Sequence, residues 1–162
     1  MSMPKPRLVA DVMLAKLARW IRLSGNSVED VPSSDDKKII SYVRRRGAVL
    51  LTLDQTLTAA AKKRNCKVLL VEGKTIEKQL SFVARKLRLK IVTEPGRICS
   101  VCNARLAVVN KLKVMDKLPK ASSVLHTKFY LCRKCGRVYW EGTHWRDIRK
   151  LLIKAKRLKS RE

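Results

Sequence analysis

The chain has 162 residues, room for about one domain or two very small ones, and its 46% hydrophobic content excludes wholesale disorder. Lys and Arg number 38 against 13 Asp and Glu, a formal net charge of +25. No run approaches the roughly 18 apolar residues of a membrane span. The opening MSMPKPRLVAD has no apolar stretch of the kind that directs secretion, so a cytoplasmic location is expected.

The charge is not confined to one tail. Residues 1–94 carry 20 basic and 9 acidic residues, net +11, and residues 95–162 carry 18 and 4, net +14. Charge of this density repels itself in a compact chain, and a polyanionic partner relieves it. Nucleic acid is the first candidate. An anionic membrane surface is disfavoured because the last helical stretch is basic nearly all round. A thermophile-like surface would carry matching acids for ion-pair networks, and those are missing.

In chain order, residues 7–11 (RLVAD) read as a short buried strand. Residues 13–23 place Leu14, Leu17, Ala18 and Ile21 on one helical face, with Lys16, Arg19 and Arg22 on the other. Ser24, Gly25 and Asn26 end that helix, and 27–31 is a weak strand. Ser33 or Ser34 is expected to cap the next helix, with Asp35 and Asp36 in its first turn, Ile39, Ile40 and Val43 inside, and Gly47 closing it. Residues 48–52 (AVLLT) form a buried strand, 56–65 a helix, 67–71 another strand, and 75–89 a helix built on Ile76, Leu80, Val83 and Leu87. A last strand is expected at 90–93. Strands alternating with helices imply parallel pairing, so residues 1–94 read as an open α/β sheet covered on both faces.

Pro95-Gly96 punctuates the chain. Residues 95–145 then hold two cysteine knuckles around a lysine-rich insert, and 146–162 form a basic C-terminal helix or tail. Ile148, Leu151, Leu152 and Ala155 share a side of that helix. Residues 154–162 are expected to add little to either core.

Ligands of an open α/β sheet bind beyond the carboxyl ends of its strands. Asp11 ends the first strand, Asp54 lies two residues past the third, and Asp35 and Asp36 follow the second. Carboxylates gathered at one point need a cation, and a hard divalent ion suits them: Mg²⁺ or Mn²⁺, able to activate water and neutralise a phosphodiester. Other roles stay open. One of Asp35 and Asp36 can serve only the helix terminus, and Asp54 can be a turn or cap residue. Asp11 is harder to explain without a partner, because it ends an apolar strand.

Cys99-Ser-Val-Cys102 and Cys132-Arg-Lys-Cys135 are separated by 29 residues, and each pair is followed by a residue that tolerates positive φ, Asn103 or Gly136. Four thiolates suit one structural Zn²⁺ and leave no open position. Cys66 reads as a small buried hydrophobe. Aromatics are sparse among the basic residues, so phosphate contacts to structured RNA are expected rather than base stacking. The candidate contacts are Lys16, Arg19, Arg22, Arg133, Lys134, Arg137, Arg149, Lys150, Lys154, Lys156 and Arg157. Trp20, Trp140 and Trp145 are expected to pack in cores.

Several motifs carry a family resemblance. The run from Asp11 to Gly25, DVMLAKLARWIRLSG, is similar to D-x-M-L-x-x-L-A-R-W-L-R-x-x-G. Gly47–Asp54, GAVLLTLD, is similar to G-R-x-L-L-T-R-D. Glu77-Lys-Gln-Leu80 matches E-x-Q-L, and Cys135–His144, CGRVYWEGTH, matches C-G-x-x-Y-W-x-G-x-H. These motifs resemble the Mut-7 C-terminal RNase domain family. Ala48 and Leu53 stand where the family pattern has arginines, and Ser27 where G-Y-D has its acid.

The resemblance implies a PIN-like α/β domain followed by a zinc ribbon, and a metal-dependent ribonuclease. It implies Asp11, Asp36 and Asp54 as ligands of Mg²⁺ or Mn²⁺, with Thr52 orienting an acid or water. The expected function is RNA binding with PIN-like, metal-dependent endoribonuclease chemistry on structured RNA, ribosomal RNA foremost. The alternative is a non-catalytic ribosome-associated or ribosomal RNA-binding protein that kept the fold and the ribbon. The charge favours the second class and the surviving acids the first. Oligomeric state is not legible in the sequence.

Overall fold

The computed structural model describes residues 5–94, 96–120 and 125–161. Leu8–Ala10 forms β1, and Asp11 caps a short 3₁₀ turn, Val12–Leu14, that leads into α1 (Ala15–Leu23). Two residues, Glu29–Asp30, form β2, followed by α2 (Asp36–Arg46), β3 (Val49–Thr52), α3 (Gln55–Lys63), β4 (Lys67–Leu70) and α4 (Ile76–Lys86). The four strands are parallel, in the order β2-β1-β3-β4.

Strand alternation divides the core into two layers. Leu8, Ala10, Val49 and Leu51 lie with residues of α1 and α4 on one face. Val9 and Leu50 lie on the other, with Ile39, Ile40 and Val43 of α2 and Leu57 and Ala61 of α3. This is the open parallel sheet, covered on both faces, that the alternating pattern implies.

Two local expectations are corrected. Asp35 caps α2, not Ser33 or Ser34: its Oδ1 accepts from the Lys38 N–H at 2.9 Å, and the Ser33 hydroxyl instead accepts from the Asp35 N–H. An aspartate adds charge to the capping bond, and the helix dipole favours it there. Residues 90–93 form no strand. The Val92 N–H is taken by the Ser24 carbonyl at the end of α1, so this segment crosses the base of the domain rather than extending the sheet. Gly47 does close α2, with φ of 58°.

The ribbon is an antiparallel sheet of β5 (Ala107–Val109), β6 (Phe129–Leu131) and β7 (Val138–Trp140). Its own core is small: Val109, Val114 and Phe129, with Trp140 tilted against Phe129 at 6.5 Å between ring centres. Gly96 must remain glycine. Its φ is +96°, and a Cβ there would lie 2.1 Å from the Tyr130 ring.

The final helix, α5 (Thr143–Arg161), is not a loose appendage. Trp145, Ile148, Leu152 and Ala155 are buried in the same core as α1 and α4, and α5 packs chiefly on α4. The expectation that residues 154–162 add little is therefore corrected. Ala155 is fully buried, Lys154 pairs with Glu77 of α4 at 2.5 Å, and Lys159 Nζ donates to the Leu89 carbonyl at 2.7 Å. Among the described residues no helix is long and apolar enough to cross a membrane.

Candidate functional site

The sheet changes direction at β1. The chain runs from β1 to β2 on one side and then returns to place β3 on the other, so the crevice between β1 and β3 opens at their carboxyl ends. Asp11 sits in that crevice. Its N–H donates to the Leu51 carbonyl at 3.0 Å, extending the ladder by one residue and turning the side chain into the sheet edge. Asp11 is only 5% exposed. Its Oδ1 accepts from the Val12 N–H at 2.6 Å and its Oδ2 from the Thr52 hydroxyl at 2.9 Å.

Thr52 is fully buried at the end of β3 and links two acids. Its hydroxyl donates to Asp11 and accepts from the Asp54 N–H at 3.0 Å. Asp54 caps α3, its Oδ1 accepting from the N–H groups of Thr56 and Leu57. Neither of those bonds uses Oδ2. Asp36 is exposed in the first turn of α2, beside the Asp35 cap. Asp54 is thus a helix cap, one of the roles open to it from the sequence, and a carboxylate oxygen is still left over. Asp11, Thr52 and Asp54 come together through direct bonds. Among the described residues, Asp11, Asp36 and Asp54 do not form a group whose ligand atoms all lie within 4.8 Å of one another.

The four cysteines do form such a group. Cys99 and Cys135 sulfurs are 3.6 Å apart, and those of Cys102 and Cys132 3.4 Å. A tetrahedron of Zn–S bonds of about 2.3 Å has edges of roughly 3.8 Å, so the cage fits zinc. The two knuckles have the same construction. Cys99 N–H donates to the Ala104 carbonyl and Asn103 N–H to Cys99, while Cys132 N–H donates to Arg137 and Gly136 N–H to Cys132. Asn103 and Gly136 take the positive φ expected of them, 64° and 75°.

Burial opposes a thiolate at Cys99. Hydrogen bonds from the Tyr139 hydroxyl, 3.0 Å away, and from the backbone at Cys102 and Val101 outweigh it, and its pKa falls to about 6. Burial pushes the Cys102 thiol up to about 12. The Tyr139 hydroxyl is pushed to about 12 by burial and by Cys99, so it remains a donor. This role of Tyr139 was not read from the sequence. The position of a tyrosine four residues after Cys135 was the available signal.

Of the basic candidates, Arg22 is corrected. It is 4% exposed, and its guanidinium is consumed inside the protein. Nε and Nη2 donate to the Val28 carbonyl, Nη2 also pairs with Asp30 at 2.8 Å, and Nη1 donates to the carbonyls of Ser100 and Val101. Arg22 therefore straps the first knuckle to the α/β domain and has no face left for RNA. Arg149 Nε is bonded to the Thr93 carbonyl, Lys154 is paired with Glu77, and Lys150 is paired with Asp147. Lys16, Arg19, Arg133, Lys134, Arg137, Lys156 and Arg157 are exposed. Trp145 is buried, and Trp20 and Trp140 are half-buried. Cys66 is half-buried beside the layer that holds α2 and α3.

Ser27, where the family pattern has an acid, lies before β2 at the amino edge. Its hydroxyl accepts from the Asn103 side-chain amide at 2.8 Å, and the Asn103 Oδ1 accepts from the Val28 N–H. That position faces the knuckle, so its change leaves the acids at the carboxyl edge untouched.

A parallel sheet with acids at the switch-point crevice, joined to a four-cysteine ribbon, defines a PIN-like domain with a zinc ribbon. The Mut7-C RNAse domain family model matches residues 6–152, nearly the whole chain, and the chain belongs to that family. Membership ties it to RNA as substrate or partner and to nuclease-like function. No curated protein and no solved structure matches the chain.

Proposed function

We propose that the chain is an RNA-binding, divalent-metal-dependent endoribonuclease that cuts at the carboxyl edge of its sheet, and that its target is structured RNA, ribosomal RNA in particular. The observation that carries this reading is the bonded series Asp11, Thr52 and Asp54 at the β1/β3 switch point. Burying a carboxylate at a strand end costs several kcal/mol unless it is bonded, and a chain this poor in acids has placed one there. Asp11, Asp54 and Asp36 would hold Mg²⁺ or Mn²⁺. The carboxylate oxygens already bonded to N–H or hydroxyl groups keep lone pairs for an ion. When bound, the ion would supply an activated water and neutralise charge on the phosphodiester. Thr52 fixes the orientation of Asp11, and the α3 cap fixes that of Asp54.

Purified protein should therefore cleave an RNA hairpin with Mg²⁺ or Mn²⁺ and not in EDTA. Asp11→Asn and Asp54→Asn should each abolish cleavage while RNA binding is kept. Asparagine still caps a helix, so Asp54→Asn should stay folded. Cleavage that persists in EDTA, or in both variants, would refute the assignment.

A second reading is a non-catalytic RNA-binding component of ribosomal particles. It is favoured by the capping duty of Asp54, by the three acids not closing into a common ligand group, and by the net charge of +25. Inactivity on varied RNAs, together with co-sedimentation with ribosomal subunits at moderate salt, would select it.

A further inference from the structure

We propose that a basic channel at the amino edge of the sheet, opposite the acidic crevice, binds the phosphate backbone of RNA. The proposal rests on the RNA-binding reading above and adds to it a surface and a direction. In a parallel sheet each connecting helix runs back against its strands, so α1 and α4 both end at the amino edge. There the Val92 N–H bonds the Ser24 carbonyl and the Asn26 amide bonds the Lys90 carbonyl at 2.7 Å. Residues 90–92 are thereby fixed across the base of the domain, and α5 passes beside them.

Between them is a cleft of about 530 Å³ lined by Lys90, Glu94, Arg97, Lys156 and Lys159, among others. It continues past Lys156 to Arg157 and Arg161. Six cations and one acid thus border a single concave path. Lys90, Arg97, Lys156 and Arg157 have no ion-pair partner among the described residues, unlike Lys150 and Lys154 on the same helix as Lys156.

Both walls are built rather than loose. A Cβ on Gly25 would sit 3.3 Å from the Arg97 Cδ, so the stem of that arginine lies against the glycine that ends α1. The Arg97 carbonyl accepts from the Leu106 N–H of the ribbon. On the other wall, Lys159 ties the end of α5 to the Leu89 carbonyl. A concave row of cations without carboxylate partners suits a polyanionic backbone, whose phosphates position a protein without conveying sequence. The channel and the acids are separated by at least the length of β3, about 13 Å at 3.3 Å per residue. The channel therefore anchors RNA away from the crevice instead of feeding phosphate into it.

The test is a titration of a fluorescein-labelled RNA hairpin between about 50 and 200 mM salt. It compares the wild type with the combined variant Lys90→Ala, Arg97→Ala, Lys156→Ala and Arg157→Ala. A control combining Lys62→Ala, Lys63→Ala, Arg64→Ala and Lys67→Ala removes the same charge from the end of α3 and the start of β4. Thermal melting checks that both variants fold. The channel variant should lose about tenfold or more in affinity at low salt, and its salt dependence should flatten by roughly three in log–log slope, while the control changes far less. Equal losses in the two variants, or an unchanged slope in the channel variant, would overturn the channel and leave the RNA reading standing. A wild type that binds RNA weakly and without salt dependence would remove the RNA reading itself, and the channel with it.

Discussion

The Arg22 guanidinium donates to the Val101 carbonyl at 3.1 Å, across 79 residues of chain, and so joins the α/β domain to the first zinc knuckle. Arg22 comes from the last turn of α1, beside Val28 and Asp30, so one side chain fixes α1, β2 and the ribbon together. Arg22→Met should cost about 2–4 kcal/mol, because buried carbonyls lose their donors. Thermal melting should register a fall of several degrees for a chain of this size. Arg22→Lys should recover only part of the loss, since an ammonium cannot reproduce the fork. A melting temperature unchanged in Arg22→Met would refute the strap.

The cysteine cage predicts one zinc per chain. Cys132→Ser should abolish stoichiometric zinc in elemental analysis and loosen the β5–β7 sheet, because the ribbon core of Val109, Val114 and Phe129 is too small to hold alone. Amide exchange should show the β1–β4 sheet still protected. Iron in place of zinc, or a folded ribbon without metal, would contradict the prediction.

Thr52 makes two bonds that valine cannot, at nearly the same volume. Thr52→Val should cost about 1–3 kcal/mol in urea unfolding, since Asp11 loses a donor and the Asp54 N–H an acceptor. RNA binding should be kept and cleavage reduced. If cleavage is unaffected, Thr52 serves only the fold.

The Lys154 hydrogen bond holds the Glu77 carboxyl below its ordinary value of 4.5. A depressed carboxyl stabilises the fold above the unfolded value and loses that contribution as pH falls through the folded one. Lys154 is 64% exposed, so the pair should contribute less than about 1 kcal/mol. Wild type should melt slightly above Glu77→Gln at pH 7, and the difference should vanish well below pH 4.5. A difference that grows on acidification would show that the ion pair is not its source.

Deleting residues 154–162 removes the Ala155 contact and two ties between α5 and the α4 region. Loss of about 2–3 kcal/mol is expected, seen as a fall in melting temperature of roughly 4–12 °C. An unchanged melting temperature would restore the view of this segment as a free tail.

The sequence carried those parts of the protein that depend on local spacing. Short apolar runs placed β1, β3 and β4, because strands of a sheet covered on both faces are apolar on both sides, and a 3.6-residue apolar period placed the helices, each within a few residues. The cysteine spacing gave the metal cage, because a knuckle is closed by its own backbone within five residues. Asp11 and Asp54 stood out as acids at or just past the ends of apolar strands, and Thr52 entered through the family resemblance. What the tertiary structure decided was the fate of the long charged side chains. Arg22, Arg149 and Lys154 look like surface cations in the sequence, but they end on Val101, Thr93 and Glu77, far away along the chain. Lysine and arginine carry several freely turning bonds, so their partners are set by which element lies within reach and not by their neighbours in sequence. For the same reason the run of basic residues in α5 showed charge but not which of them face a channel. That assignment required the packing of α5 on α4.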